Sequence, residues 1–257
     1  MSFETITVEN NGSIGVIGLN RPASMNAVCA AMLYELADAA AQLDAEESVR
    51  CIVLKGGEAF FAAGTDMSEF ATRQSAELVR EGLYGRTADR ISECRKPIVA
   101  AVAGYAFGGG LELVLMSDIV IAAENARFGF PELTLGILPQ MGGVSRLAAR
   151  IGRPKAMEMV LTGRHISAEE AASCGLVSRI VDSADVVAEA LQTAERIAAL
   201  PAAGIVLAKQ AVLAGAECPQ TAAKAEEAMA RLSLMSADAH EGLAALVEKR
   251  APKFVHK

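Results

Sequence analysis

Polar and apolar positions alternate ahead of the dipeptide Asn11-Gly12 and an apolar run follows it, which predicts strands near residues 3–8 and 14–19 joined as a hairpin. Arg21-Pro22 ends the second strand. Downstream, Met32, Leu33, Leu36, Ala39, Ala40 and Leu43 recur at the spacing of one helix face, and a β-branched run at 51–54 follows as a strand. The result is a ββα-like unit. A second round is predicted from a loop over 56–66, helical segments within 69–94, a strand over 97–102, a glycine turn, a short helix from Gly110 and a strand over 118–122. A third spans 126–161, where Pro154 suits a helix start.

From Ser167 onward the pattern becomes helical. Ser167-Ala-Glu-Glu170 has the form of a capping box, Gly175 of a helix stop and 177–181 of a last strand. Helices are predicted near 184–199, 204–215, 219–235 and 238–250, with Met229, Leu232, Leu234 and Met235 on faces that suit either the core or another subunit. The chain divides into a core over 1–195 and a C-terminal helical region over 196–257.

Composition narrows the function more than the fold. At 257 residues and 52% hydrophobic content the chain can bury one large α/β core. A net charge of −7 and a pI near 5.2, with no Lys/Arg block, argue against nucleic acid or an anionic membrane as the main partner. Cys29, Cys51, Cys94, Cys174 and Cys218 show no C-x-x-C spacing, so reduced, mostly buried thiols are expected rather than a zinc site or a disulfide frame. The first residues lack a basic segment followed by an apolar one; the expectation is no secretory leader and a cytoplasmic location. The apolar run 97–123 is interrupted by Glu112, Asp118 and glycines, which suits a buried strand–turn–helix–strand better than a membrane span. His165, His240 and His256 share no spacing with a nucleophile or metal ligand, and Tyr105 and Phe107 are expected in the core.

The chemistry concentrates in Gly104-Tyr-Ala-Phe-Gly-Gly-Gly-Leu-Glu112 and, 20 residues beyond Glu112, in Phe130-Pro-Glu132. Three consecutive glycines let backbone approach a ligand, and a helix starting there aims free N–H groups at negative charge. Both glutamates sit in apolar surroundings, where a carboxylate is costly unless paired or used. Acid–base chemistry is the first reading. On local sequence alone a solvated helix residue and a charge near a helix start are equally good accounts of the two, and Gly64-Thr65-Asp66 reads as an ordinary turn capping the next helix.

These segments resemble the crotonase, or enoyl-CoA hydratase/isomerase, family. Four further segments match in order: Leu19-Asn-Arg-Pro22 with Asn26-Ala27, Phe61-Ala-Ala-Gly-Thr-Asp66, Leu138-Pro-Gln-Met-Gly-Gly143 with Arg146-Leu147, and Val247-Glu-Lys-Arg250 with Pro252 and Phe254. The resemblance implies an α/β fold, a spiral of repeated ββα units with a C-terminal helical trimerisation region, assembled as a homotrimer or a dimer of trimers. It implies an enoyl-CoA hydratase, a lyase that reversibly adds water to a 2-trans-enoyl-CoA with no metal or redox cofactor. Glu112 would activate the water, Glu132 would protonate C2, and the N–H groups of Thr65 and Gly109 would form an oxyanion hole. Around them, substrate contacts are implied for Arg21, Ser24, Met25, Ala62, Ala63, Gly64, Asp66, Met67, Gly108, Gln140, Gly142 and Lys249, the last from a neighbouring subunit.

Departures from the family pattern bear on the substrate. Lysines common in relatives are replaced by Ala23, Ala59 and Ser68, which leaves fewer cations for CoA phosphates. Thr65 stands where alanine is common and puts a branched side chain beside the acyl pocket, and Gln140 stands where glycine is common. Within the family the alternatives are a double-bond isomerase or a specialised acyl-CoA dehydratase or lyase; retention of both glutamates argues against the simpler isomerases. A serine hydrolase on a related spiral is disfavoured because the glycine turn holds no serine. An RNA-binding protein is disfavoured by acidic charge and the absence of aromatic-plus-basic stripes.

Overall fold

Strands β1 (Ile6–Asn11) and β2 (Ile14–Leu19) form the expected hairpin, with Asn11 opposite Ile14 and Gly12 at φ +75° in the turn. This computed structural model describes residues 3–72, 82–217 and 219–256, so part of the expected 69–94 helical region and Cys218 lie outside the described residues. Helix α1 (Ala30–Ala45) buries all six of the periodic apolar positions named above. Its N-terminus is capped by Cys29, whose sulfur accepts from the Met32 N–H.

Beyond the hairpin the chain repeats one move: a strand enters a first sheet, a short strand enters a second, and a helix returns. Strands β3 (Cys51–Lys55) and β4 (Phe60–Ala62) lead to α2 (Met67–Thr72) and α3 (Leu83–Ser92). Strands β5 (Ile98–Val102) and β6 (Tyr105–Phe107) lead to α4 (Gly109–Met116). Strands β7 (Ile119–Ala123) and β8 (Arg127–Gly129) lead through a 3-10 turn (Glu132–Leu135) to α5 (Gly143–Ile151) and α6 (Arg153–Thr162), where Pro154 stands in the first turn. Strand β9 (His165–Ser167), helix α7 (Ala168–Ser173) and strand β10 (Arg179–Val181) close the spiral. The Ser167 hydroxyl accepts from the Glu170 N–H, half of the capping box, while the Glu170 carboxylate turns to Lys155 and Arg164.

The first sheet has six strands in the order β1-β2-β3-β5-β7-β10, parallel after the hairpin; the second has four, β4-β6-β8-β9, with β9 antiparallel. Strands β2 and β5 are buried at every position, as expected where helices cover both faces of a parallel sheet. Met32, Leu33 and Leu36 of α1 pack with Ile17, Ile52 and Ile98 on one face. On the other face Ala190, Ala194 and Ala198 of α8 (Val186–Ala198) pack against Val53, Val99 and Ile121. Each of these Val, Leu, Ile and Met burials contributes about 1.5–3 kcal/mol before entropy is counted, and each alanine less.

Helices α9 (Ala202–Glu217), α10 (Pro219–Leu234) and α11 (Ala237–Glu248) complete the chain. The expected division at 195/196 falls inside α8, which is bound to the sheet; the change of character comes at Leu200-Pro201. Lys209 of α9 reaches the core, with Nζ 2.8 Å from Asp118 Oδ2 and 3.1 Å from the Lys96 carbonyl. Two expectations need correction. The loop 56–66 contains β4, and Tyr105 is not core: it is 41% exposed on β6, where its ring lies 5.4 Å from Phe60 and 5.1 Å from the half-buried Phe107.

Candidate active site

In the second sheet β4, β6 and β8 are adjacent and parallel, so the segments that leave their carboxyl ends lie side by side. Those segments are Ala63-Gly-Thr-Asp66, Gly108-Gly-Gly110 and Phe130-Pro-Glu132. Residues far apart in sequence are thereby brought together, as happens generally at carboxyl ends of parallel strands.

Close backbone approach decides the first two segments. A methyl added at Gly109 would lie 2.8 Å from Thr65 Oγ1 and 3.4 Å from Thr65 N, and one at Gly110 would lie 2.4 Å from the Ala62 carbonyl oxygen. Gly108 adopts φ 47°, ψ −122°, open to glycine and little else, and its N–H donates to the Gly129 carbonyl. Val28 pairs with Thr65 in a parallel bridge in which Val28 N–H donates to Gly64 O and Asp66 N–H to Val28 O. That pattern leaves the Thr65 N–H unused. Neither it nor the Gly109 N–H, at the first turn of α4, has an acceptor among the described residues.

Both glutamates are buried, Glu112 to 1% exposure and Glu132 to 5%. Glu112 Oε1 accepts the N–H groups of Met141 at 2.7 Å and Gly143 at 2.8 Å. A methyl at Gly143 would lie 2.5 Å from Glu112 Cγ, so only glycine brings that N–H so near. Burial pushes the Glu112 carboxyl up, against the pull of the Gly143, Met141 and Gln140 N–H groups and the Arg146 charge. Glu132 is less compensated: burial, aided by the charge of Glu112, pushes it up to about 7 with only its own backbone N–H opposing. Glu112 Oε2 and Glu132 Oε2 are both buried without a hydrogen-bond partner among the described residues. Such groups are expensive unless something else satisfies them.

The outer residues divide. Asp66 accepts from the Ser68 N–H and hydroxyl, which caps α2 as the local reading expected and, with Arg21, holds its carboxyl below the usual range. Arg21 uses Nη1 internally, 2.9 Å from Asp66 and donating to the Ala27 carbonyl. Ser24 closes a 3-10 turn, and Met25, left-handed at φ 52° and 49% exposed, accepts the Ala63 N–H through its carbonyl. Residues 21–27 are thus stitched to 62–66, the wall that carries Ala62, Ala63, Gly64 and Met67. Gln140 is exposed, Gly142 is left-handed at φ 78° as the N-cap of α5, and Lys249 is an exposed left-handed C-cap of α11. No hydrogen bond or ion pair among the described residues joins Lys249 to the other candidates. A crevice of about 340 Å³ lies elsewhere, lined by Gly56, Asn125, Ser183 and Val187 among others, and holds none of them.

Sequence reasoning missed what supports Glu112. Its donors lie 29 and 31 residues away, and Arg146 was noticed only as part of a motif. The one available signal was Gly142-Gly143 ahead of a helix, a form that exposes N–H groups.

A ββα spiral that brings two buried carboxyls and a pair of free backbone donors onto adjoining segments has the parts of an acid–base enzyme. Residues 9–257 match the family model described as enoyl-CoA hydratase/isomerase. The chain is 42% identical to a probable enoyl-CoA hydratase of Rhizobium meliloti, over 100% of both chains. It is 39% identical to the mitochondrial enoyl-CoA hydratase of Pongo abelii, over 98% of this chain and 88% of that one. The crystal structure of enoyl-CoA hydratase from Bacillus anthracis superposes with a TM-score of 0.94 at 34% identity, over 99% of this chain and 100% of that one. The chain belongs to the enoyl-CoA hydratase/isomerase family.

Proposed function

We propose that this protein is an enoyl-CoA hydratase, converting a 2-trans-enoyl-CoA and water reversibly into a 3-hydroxyacyl-CoA. The observation that carries this reading is the pair of buried glutamates, each with one unpartnered oxygen, beside the two unused N–H groups of Thr65 and Gly109. The N–H pair binds the thioester carbonyl and gains strength as that oxygen becomes an enolate; one such donor is worth on the order of 3 kcal/mol in the transition state. Water sits between the carboxyls. Glu112 takes its proton as the oxygen bonds to C3, and the proton on Glu132 passes to C2 as the enolate collapses. The cycle closes when the proton left on Glu112 returns to Glu132.

The unequal settings of the two acids support this division, since the one with more backbone donors serves as base and the one near 7 as acid. Both glutamates being present disfavours the simpler isomerases. Self-association as a trimer or dimer of trimers fits exposed apolar side chains on α9–α11, among them Val212, Leu232, Leu234 and Leu246. CoA would lie along residues 21–27 and 62–67, with Lys249 of a neighbour as a phosphate partner. The test is loss of conjugated-thioester absorbance with short, medium, branched and aryl enoyl-CoAs. Glu112→Ala and Glu132→Ala should each lower turnover by about 100-fold or more with CoA-thioester binding largely kept; near-normal hydration by either rejects the reading.

A further inference from the structure

One half-buried cation near the site has no part in the chemistry just described. Arg146, half-buried on α5, donates from Nη1 to the Met141 carbonyl and from Nη2 to Ser92 Oγ at 3.1 Å, and its own N–H donates to Gly142 O. The Met141 residue is therefore held at both ends: its N–H on Glu112 Oε1, its carbonyl on the guanidinium. The guanidinium adds to the buried Met141 side chain in fixing the turn 139–143, where Gln140 is exposed and Gly142 is a left-handed glycine. A bidentate guanidinium bridging a turn and a neighbouring helix is a rigid brace, and lysine cannot reproduce its fork.

Charge gives the brace a second role. Of the elements packed on α4, β4 brings no ionisable group and β6 only the exposed Tyr105 hydroxyl. On α3, Arg90 is paired with Asp38, Arg86 and Asp89 are exposed, and Ser92 is what reaches Arg146. On α5, Arg150 turns to the Ser117 carbonyl. The neighbouring acid is Glu132. Arg146 is thus the cation that favours the ionised form of Glu112, and Glu132 receives no matching help.

We infer that Arg146 is a positioning residue for hydration: it braces the 139–143 turn so that Glu112 is held as the carboxylate base, leaving the proton on Glu132. The inference rests on the roles proposed above for the two glutamates. Its test is steady-state hydration of crotonyl-CoA by the full-length protein and by Arg146→Met and Arg146→Lys between pH 5 and 9.

Arg146→Met should lower kcat about 10–100-fold with KM within about 3-fold, and should move the acid limb of kcat/KM up by about one pH unit while the basic limb stays. Arg146→Lys should restore the limb but only part of kcat. A uniform loss with both limbs unmoved would make Arg146 merely structural, and near-normal kcat in Arg146→Met would dismiss it. Should that variant not fold, Ser92→Ala removes only one partner of the guanidinium and should lower kcat a few-fold at unchanged KM; an unchanged kcat overturns the inference. A fully active Glu112→Ala would instead sink the proposed roles themselves, so the two failures are distinguishable.

Discussion

Glu132 makes the folded protein sensitive to pH in an unusual direction, and replacing it by glutamine isolates the effect. Its carboxyl is raised from an ordinary 4.5 to about 7 because it is 95% removed from solvent with one opposing backbone donor. For an acid whose folded value is raised, the sign is the reverse of the usual carboxylate case. Below about 4.5 it is protonated in both states and contributes nothing; above 7 the folded state must hold a charge that the unfolded chain carries freely. At about 1.4 kcal/mol per pH unit, the rise from 4.5 to about 7 becomes a cost of about 3 kcal/mol, developed between those two values. Glu132→Gln keeps the shape and cannot ionise. Its stability gain over the parent should be under about 1 kcal/mol at pH 5 and about 3 kcal/mol at pH 8. Urea unfolding followed by circular dichroism at a series of pH values, with protein concentration fixed in case subunits associate, measures the difference. A gain independent of pH, or one that shrinks as pH rises, would refute the reasoning.

Two further outcomes are expected. Gly108→Ala places a methyl 2.3 Å from Glu132 Oε1 at φ 47°, so it should cost about 1–3 kcal/mol of stability and more than about 10-fold in turnover; normal hydration by a folded variant would contradict the close packing of turn and acid. Lys209→Met leaves Asp118, 19% exposed, with the Ile98 N–H and the charge of Arg150 but no ion-pair partner, and should lower stability by about 2–3 kcal/mol, below the cost of a fully buried break, while activity per folded molecule is kept. An unchanged unfolding midpoint would show that α9 is not anchored through this pair.

The long periodic elements were legible because their signal is repeated: α1 shows its buried face six times, and the buried strands β3 and β5 are β-branched runs. The second sheet was not. Strands β4, β6 and β8 are three residues each, too short for any alternation to register, and two of them were read as loop and turn. Yet they are what lines up Thr65, Gly109 and Glu132. Family resemblance supplied the juxtaposition that local pattern could not. Arg21 shows the opposite limit: its charge suggested a phosphate partner, and only the fold reveals Asp66 at 2.9 Å.

Why the two acids differ follows from where each sits in the spiral. Glu112 lies one turn inside α4, where it meets the turn entering α5, and that turn presents N–H groups because a helix start leaves its first donors unbonded. Glu132 begins a four-residue 3-10 turn shortly after β8, with a proline before it; Gly108, the N-cap of α4, packs against its carboxylate, yet the backbone N–H of Glu132 itself is the one donor that opposes its burial. Equal burial would raise both; unequal donors separate them. The same repeat that places Glu112 after β6 and Glu132 after β8 therefore also gives the two carboxyls unequal surroundings. It follows that the balance between the two carboxyls can be moved without touching either glutamate, by altering the turn 139–143 whose N–H groups serve Glu112.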